Sequence, residues 1–143
     1  MDEANRTGFL QRRGDWLLAA LLMLATAALF RPAAGFSYIN LDDYPYVAAN
    51  PMVAGGLTWD GIRAAFTTVH EFWWLPLLWI SYMLDISLFG PGPHGHHVMN
   101  ILLHAVNAGL LFGVLRRLTG SRWRSLFAAA LFAWHPLRVE SVA

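Results

Sequence analysis

Apolar residues gather in four blocks along this chain, and polar residues collect between them. The blocks are WLLAALLMLATAALF (16–30), WWLPLLWISYMLDISLFG (73–90), HVMNILLHAVNAGLLFGVL (97–115) and SLFAAALFAWHPLRVESVA (125–143). The first is short for a membrane span. Carried to Phe36 it gives about 21 residues, roughly 31 Å at helical rise, and Arg31 can extend its charged head toward water. The third is long enough without extension. The second holds Pro76 and Asp85 and begins with tryptophans, a pattern that suits a helix lying at the membrane surface. The fourth is expected to span, with a kink or boundary at His135–Pro136.

Charge placement chooses among these layouts. All ten basic residues are arginine. Arg6, Arg12 and Arg13 precede the first block, and Arg116, Arg117, Arg122 and Arg124 lie between the third and fourth. Three spans put both clusters on the cytoplasmic side, whereas a fourth span at 73–90 would separate them. The expected layout is therefore a cytoplasmic N-terminus (1–15), a first span (16–36), an extracytoplasmic loop (37–96) and a second span (97–115). An arginine-rich loop (116–124) and a third span with the start of the next segment (125–143) follow. The fold class is all-α, a polytopic membrane helical bundle. The competing reading of the first block is a signal peptide, with Arg12–Arg13 as its basic end and Ala33–Ala34–Gly35 as a poor cleavage site. The last block stops without a polar flank or a basic anchor, so the chain reads as a fragment.

Composition agrees with lipid exposure. The 143 residues are 57% hydrophobic and only 13% charged, against about a quarter charged in soluble domains. Cysteine is absent, which removes disulfides, thiolate nucleophiles and cysteine-ligated metals. No basic stripe suits nucleic acid. Within the long loop, ANPMVAGG is turn-like and LTWDGIRAAFTTV has apolar residues at helical spacing. GPGPHGHH reads as a tight connection into the second span.

Several residues are candidates for chemistry. Asp42 and Asp43 sit in YINLDDYPY, either as the polar tip of a turn or as a general base or cation ligand at the membrane surface. Asn100, His104 and Asn107 follow helical spacing on the second span with His97 one turn earlier. They are either helix–helix hydrogen-bonding groups or donors for an anionic ligand. His94, His96 and His97 lack the fourth ligand of a structural zinc site and read as loop histidines. Glu140 with Arg138 in HPLRVES offers a salt bridge or a second acid site. Asp85 reads as the polar face of the interfacial helix.

The ordered blocks LDDYPYVAANP, WLPLLWISYMLDISLFG, PHGHHVMNILLHAVNAGLLFGVLRRLTG and WRSLFAAALFAWHPLRVESVA resemble the amino-terminal membrane region of bacterial tetratricopeptide-repeat proteins. Those are similar to the transmembrane-and-TPR O-mannosyltransferases. The resemblance covers about residues 36 to 143. It implies a GT-C type glycosyltransferase fold in the bacterial inner membrane, with its active site extracytoplasmic. The family's acidic pair matches Asp42 and Asp43. Its histidine–asparagine helix matches His97, Asn100 and His104, and its HP…E motif matches His135, Pro136 and Glu140. The chain departs from the pattern at Leu75, where a polar His or Arg is expected, and near Arg138, where a His is replaced.

The implied reaction is inverting transfer of a sugar from a polyprenyl-phosphate donor to a hydroxyl acceptor, Ser or Thr of an exported protein. Asp42 or Asp43 would take the hydroxyl proton. His97, Asn100, His104, His135, Arg138 and Glu140 would serve the donor phosphate and substrate, helped in one version by a divalent cation. The piece alone is expected to be inactive. The competing class is a non-catalytic scaffold or transporter component in which the Asp pair and buried His serve ion binding or packing.

Overall fold

The computed structural model describes residues 3–39 and 42–142, with side chains from Arg12 onward. The described residues are helical apart from turns and one isolated antiparallel bridge, His70 to Trp73. In order they form α1 (Glu3–Phe30), a 3₁₀ turn (Arg31–Gly35), a π-turn (Tyr44–Ala48), α2 (Pro51–Ala54), α3 (Trp59–Thr67) and α4 (Pro76–Phe89). The chain continues through α5 (Pro93–Thr119), α6 (Arg122–Trp134), a 3₁₀ turn (Pro136–Arg138) and α7 (Val139–Val142). Contacts divide the chain into two compact units, one of residues 1–31 with 100–143 and one of residues 32–99.

Two helical stretches are long and apolar enough to cross a bilayer, Arg12–Gly35 and Pro93–Thr119. Only 28% of the first apolar window and 33% of the second is buried. A core helix of a soluble protein would hide most of that surface, so these helices present apolar side chains outward, as lipid-facing helices do. The expected third span does not form. α6 has 13 residues, about 20 Å of helix against a hydrocarbon core of about 30 Å. It ends because His135 is extended (φ −64°, ψ 133°) and Pro136 follows, and a residue before proline is pushed out of the helical region. α4, at 14 residues, is also too short to cross.

In the first unit α1, α5 from residue 100 and α6 pack through Leu22, Ala108, Phe112, Ala129 and Ala133. The alanines at 108, 129 and 133 let the backbones approach closely. Polar ties complete the packing. The Thr26 hydroxyl donates to Leu22 O (2.8 Å) and accepts from Trp134 Nε1 (3.2 Å). Asp15 accepts from Arg116 Nε (3.1 Å) and from Arg122 Nε (2.6 Å).

In the second unit α2, α3 and α4 enclose Val47, Val53, Ala65, Trp79 and Met83. Local signals set each start. Asn50 caps α2 by accepting from Met52 N (3.0 Å), with Pro51 in the first turn, where its missing N–H loses no helical bond. Thr58 caps α3 by accepting from Gly61 N (3.0 Å). Gly90, at φ 82°, ends α4. The GPGPHGHH stretch differs from expectation. Its first three residues turn, but α5 already begins at Pro93, so His94, His96 and His97 belong to a helix and not to a loop.

Candidate functional site

The second unit carries the acidic pair. Asp42 is exposed, and its backbone carbonyl accepts from Tyr46 N (3.0 Å). Asp43 is half-buried, and its Oδ2 accepts from Ile39 N (2.9 Å). The two neighbours therefore do different things. Asp43 ties its side chain to the backbone of Ile39, four residues earlier, as short acidic side chains commonly do. The Asp42 carboxylate has no hydrogen-bond partner among the described residues.

A buried acid–histidine pair that the sequence did not reveal lies in the same unit. Asp85 is 3% exposed and its Oδ2 stands 2.9 Å from His96 Nδ1. Asp85 is thus no polar outer face of α4, which corrects the expectation above. The helix turns it inward, and the glycine-rich reversal after α4 brings His96 back against it. Tyr82 meets the His96 ring edge-on, with centroids 5.4 Å apart. The Tyr38 ring lies 6.3 Å from the same imidazole. Burial pushes both phenols above their ordinary value, and the Asp43 and Asp85 carboxylates push in the same direction. Those two acids and two phenols share one electrostatic neighbourhood.

His97 is buried beside His96, 7% exposed, with the Phe36 ring 6.4 Å away at its edge. Neither of its ring nitrogens has a hydrogen-bond partner, nor have Asp85 Oδ1 and His96 Nε2. Buried polar atoms are normally paired, so this is a cluster with unused hydrogen-bonding capacity. Among the described residues no three His, Asp or Glu side chains converge as a cation site. His94 instead donates from Nδ1 to Ala34 O (2.7 Å).

The remaining candidates lie in the first unit. His104 is buried between the rings of Phe30 (5.3 Å) and Phe132 (5.7 Å), and its Nε2 donates to Ala133 O (2.8 Å). Since a carbonyl only accepts, that nitrogen carries the proton. His104 therefore fastens α5 to α6, as the helix-packing alternative anticipates. Asn100 is half-buried and Asn107 is exposed, so the four polar positions of this helix do not share one buried face. His135 is exposed and accepts from Leu137 N at Nδ1 (3.3 Å), capping the turn that follows. The Arg138 guanidinium stacks over Phe132 at 4.5 Å, while its buried Nε has no partner. Glu140 is exposed, and no ion pair joins it to Arg138 among the described residues.

Sequence reasoning named Asp85 and His96 but did not pair them, and it missed Tyr38 and Tyr82. The only linear signal was an acid inside an apolar helix, which is costly unless paired.

The helical architecture and its two long apolar helices are those of a membrane-associated α-helical protein, and the chain is similar in sequence to a stretch of protein O-mannosyl-transferases. The chain is 39% identical to Protein O-mannosyl-transferase Tmtc2 of Drosophila melanogaster over 123 residues, 77% of this chain. It is 35% identical to Protein O-mannosyl-transferase Tmtc1 of the same organism over 122 residues, again 77% of the chain. It is 31% identical to Protein O-mannosyl-transferase TMTC1 of Homo sapiens over 147 aligned positions, 93% of the chain. The matched stretch spans 12%, 13% and 16% of these three relatives respectively. No family model matches the chain, and no solved structure matches it.

Proposed function

We propose that this chain is part of a membrane glycosyltransferase with a GT-C-like helical fold, acting on a hydroxyl of protein Ser or Thr. The similarity to protein O-mannosyl-transferases over most of the chain carries this reading. The donor is a sugar on a polyprenyl phosphate, and transfer inverts the anomeric centre. A carboxylate takes the acceptor's proton, the freed oxygen attacks the anomeric carbon, and the bond from that carbon to the phosphate oxygen breaks. The lipid phosphate leaves with the electron pair.

Asp42 is the base in this scheme and Asp43 its structural support. Asp42 is exposed and unpaired, whereas Asp43 spends one carboxylate oxygen on Ile39 N. His97 faces the leaving phosphate as a donor, since its two ring nitrogens are otherwise unused. Asn100, His104, His135, Arg138 and Glu140 serve substrate less directly. His104 has already committed Nε2 to Ala133, and His135 Nδ1 to Leu137 N. The positive-inside bias supports a cytoplasmic arginine-rich side and an extracytoplasmic loop carrying the acids, in a bacterial inner membrane. A polyprenyl tail stays in the membrane, so the phosphate must be met at its surface.

The test is sugar transfer by the reconstituted protein with a panel of polyprenyl-phosphate sugars and a Ser/Thr peptide. Asp42→Asn is expected to abolish transfer and keep donor binding. Asp43→Asn is expected to weaken both only partially. A wild type that neither binds nor transfers any donor would sink the reading.

A further inference from the structure

The first unit contains a cleft of about 740 Å³ between α1 and α5, lined by residues that include Arg12, Trp16, Gly109, Leu110, Gly113 and Arg117. Its volume lies within the range of about 300–1,000 Å³ typical of ligand pockets. The two helices run antiparallel here. Met23 covers Gly109, where an added Cβ would come within 2.7 Å of its sulfur, and Asp15 meets Arg116 two turns on. Between those contacts the helices part, and a Cβ built on Gly113 meets no atom within 4 Å. The floor is therefore apolar and open.

The mouth is cationic. Asp15 is already engaged with Arg116 and Arg122. Arg12 and Arg117 are exposed and have no ion-pair partner among the described residues. Trp16, 73% exposed beside them, is a residue type that settles at the lipid headgroup level. Two free guanidiniums above an apolar slot match an amphiphile with an anionic head. Guanidinium binds phosphate by charge-assisted, often paired hydrogen bonds, and basic pockets between membrane helices hold anionic headgroups.

We propose that this cleft holds one anionic phospholipid, with its phosphate between Arg12 and Arg117 and one acyl chain laid over Gly113. The site is separate from the acidic pair and does not depend on the transferase reading.

The test is native mass spectrometry of the chain released from nanodiscs of mixed phosphatidylglycerol and phosphatidylcholine. Wild type is expected to retain one phosphatidylglycerol, with phosphatidylcholine held about tenfold more weakly. Arg12→Gln with Arg117→Gln should remove that preference without touching a packed residue. Gly113→Leu, which fills open space, should cut retention of both lipids about tenfold while circular dichroism keeps its helical signal. Equal retention of the two lipids by wild type overturns the proposal. So does unchanged phosphatidylglycerol retention in the double arginine variant. A wild type carrying no lipid overturns it as well.

Discussion

His96 Nδ1 stands 2.9 Å from Asp85 Oδ2, and both side chains are buried. The imidazole nitrogen donates to the carboxylate, so among the described residues His96 is the partner of an acid placed inside an apolar helix. Asp85→Ala should cost about 3–5 kcal/mol, since removing one member of a buried pair leaves the other uncompensated. Replacing both, as Asp85→Leu with His96→Phe, should cost far less, because neither orphan remains. A double-mutant cycle by chemical unfolding in micelles measures the difference. Additive losses would show that the pair is not coupled.

The two tyrosines beside this pair supply a pH prediction. Burial, then Asp43 and Asp85, raise both Tyr38 and Tyr82 above the ordinary 10. The folded state thus holds their protons more tightly than the unfolded chain. The resulting stability is fully present below pH 10 and is lost as pH climbs through the raised values. Tyrosinate absorbance should show two phenols titrating late. Asp43→Asn should bring them partway back toward 10 and leave the burial contribution in place. A titration curve unmoved by that variant would place Asp43 outside their neighbourhood.

One substitution should have opposite effects at two glycines of α5. A Cβ at Gly95 would come within 2.5 Å of Phe89 Cβ, so Gly95→Ala should destabilise by about 1–3 kcal/mol through overpacking. A Cβ at Gly113 meets nothing, so Gly113→Ala should stabilise by up to about 1 kcal/mol through helix propensity. Unfolding midpoints of the two variants decide it. Equal shifts would mean that the close approach at Gly95 is not rigid.

Gly95 also shows where sequence reasoning stopped. Beside Pro93 and three histidines it reads as a loop residue, yet the proline sits in the first turn of α5 and the glycine permits contact with Phe89. That contact depends on the chain reversal at Gly90–Gly92, which local pattern does not encode. The Asp85–His96 pair was hidden for the same reason, because its members are 11 residues apart across that reversal. The long apolar runs of α1 and α5 were legible, because hydrophobicity along a helix is a property of neighbours in the chain. The third span was misread because an apolar run shows hydrophobicity but not where a helix ends. His135–Pro136 ends α6 too early. The difference between Asp42 and Asp43 came from one hydrogen bond to Ile39, which adjacent identical residues cannot announce.

Asp15 carries the last prediction. Its two carboxylate oxygens accept from different arginines, Oδ2 from Arg116 Nε at 3.1 Å and Oδ1 from Arg122 Nε at 2.6 Å. It thereby joins the middle of α1 to the end of α5 and the start of α6. The three side chains are 22–30% exposed, so water and salt screen them in part. Exposed pairs contribute about 0.2–1 kcal/mol each, and sharing one acid between two partly buried arginines places this group at the upper end. Asp15→Asn, which keeps the shape and removes the charge, should therefore cost about 1–2 kcal/mol. Arg122 Nε stands closer to the acid (2.6 Å) than Arg116 Nε does (3.1 Å), so the larger share of the loss should couple to Arg122. Cycles of Asp15→Asn with Arg116→Gln and with Arg122→Gln separate the two. Raising salt from about 0.1 M to about 1 M should shrink both coupling energies, because the Debye length falls from about 10 Å to about 3 Å. Couplings indifferent to salt would mean that Asp15 acts through packing and not through charge.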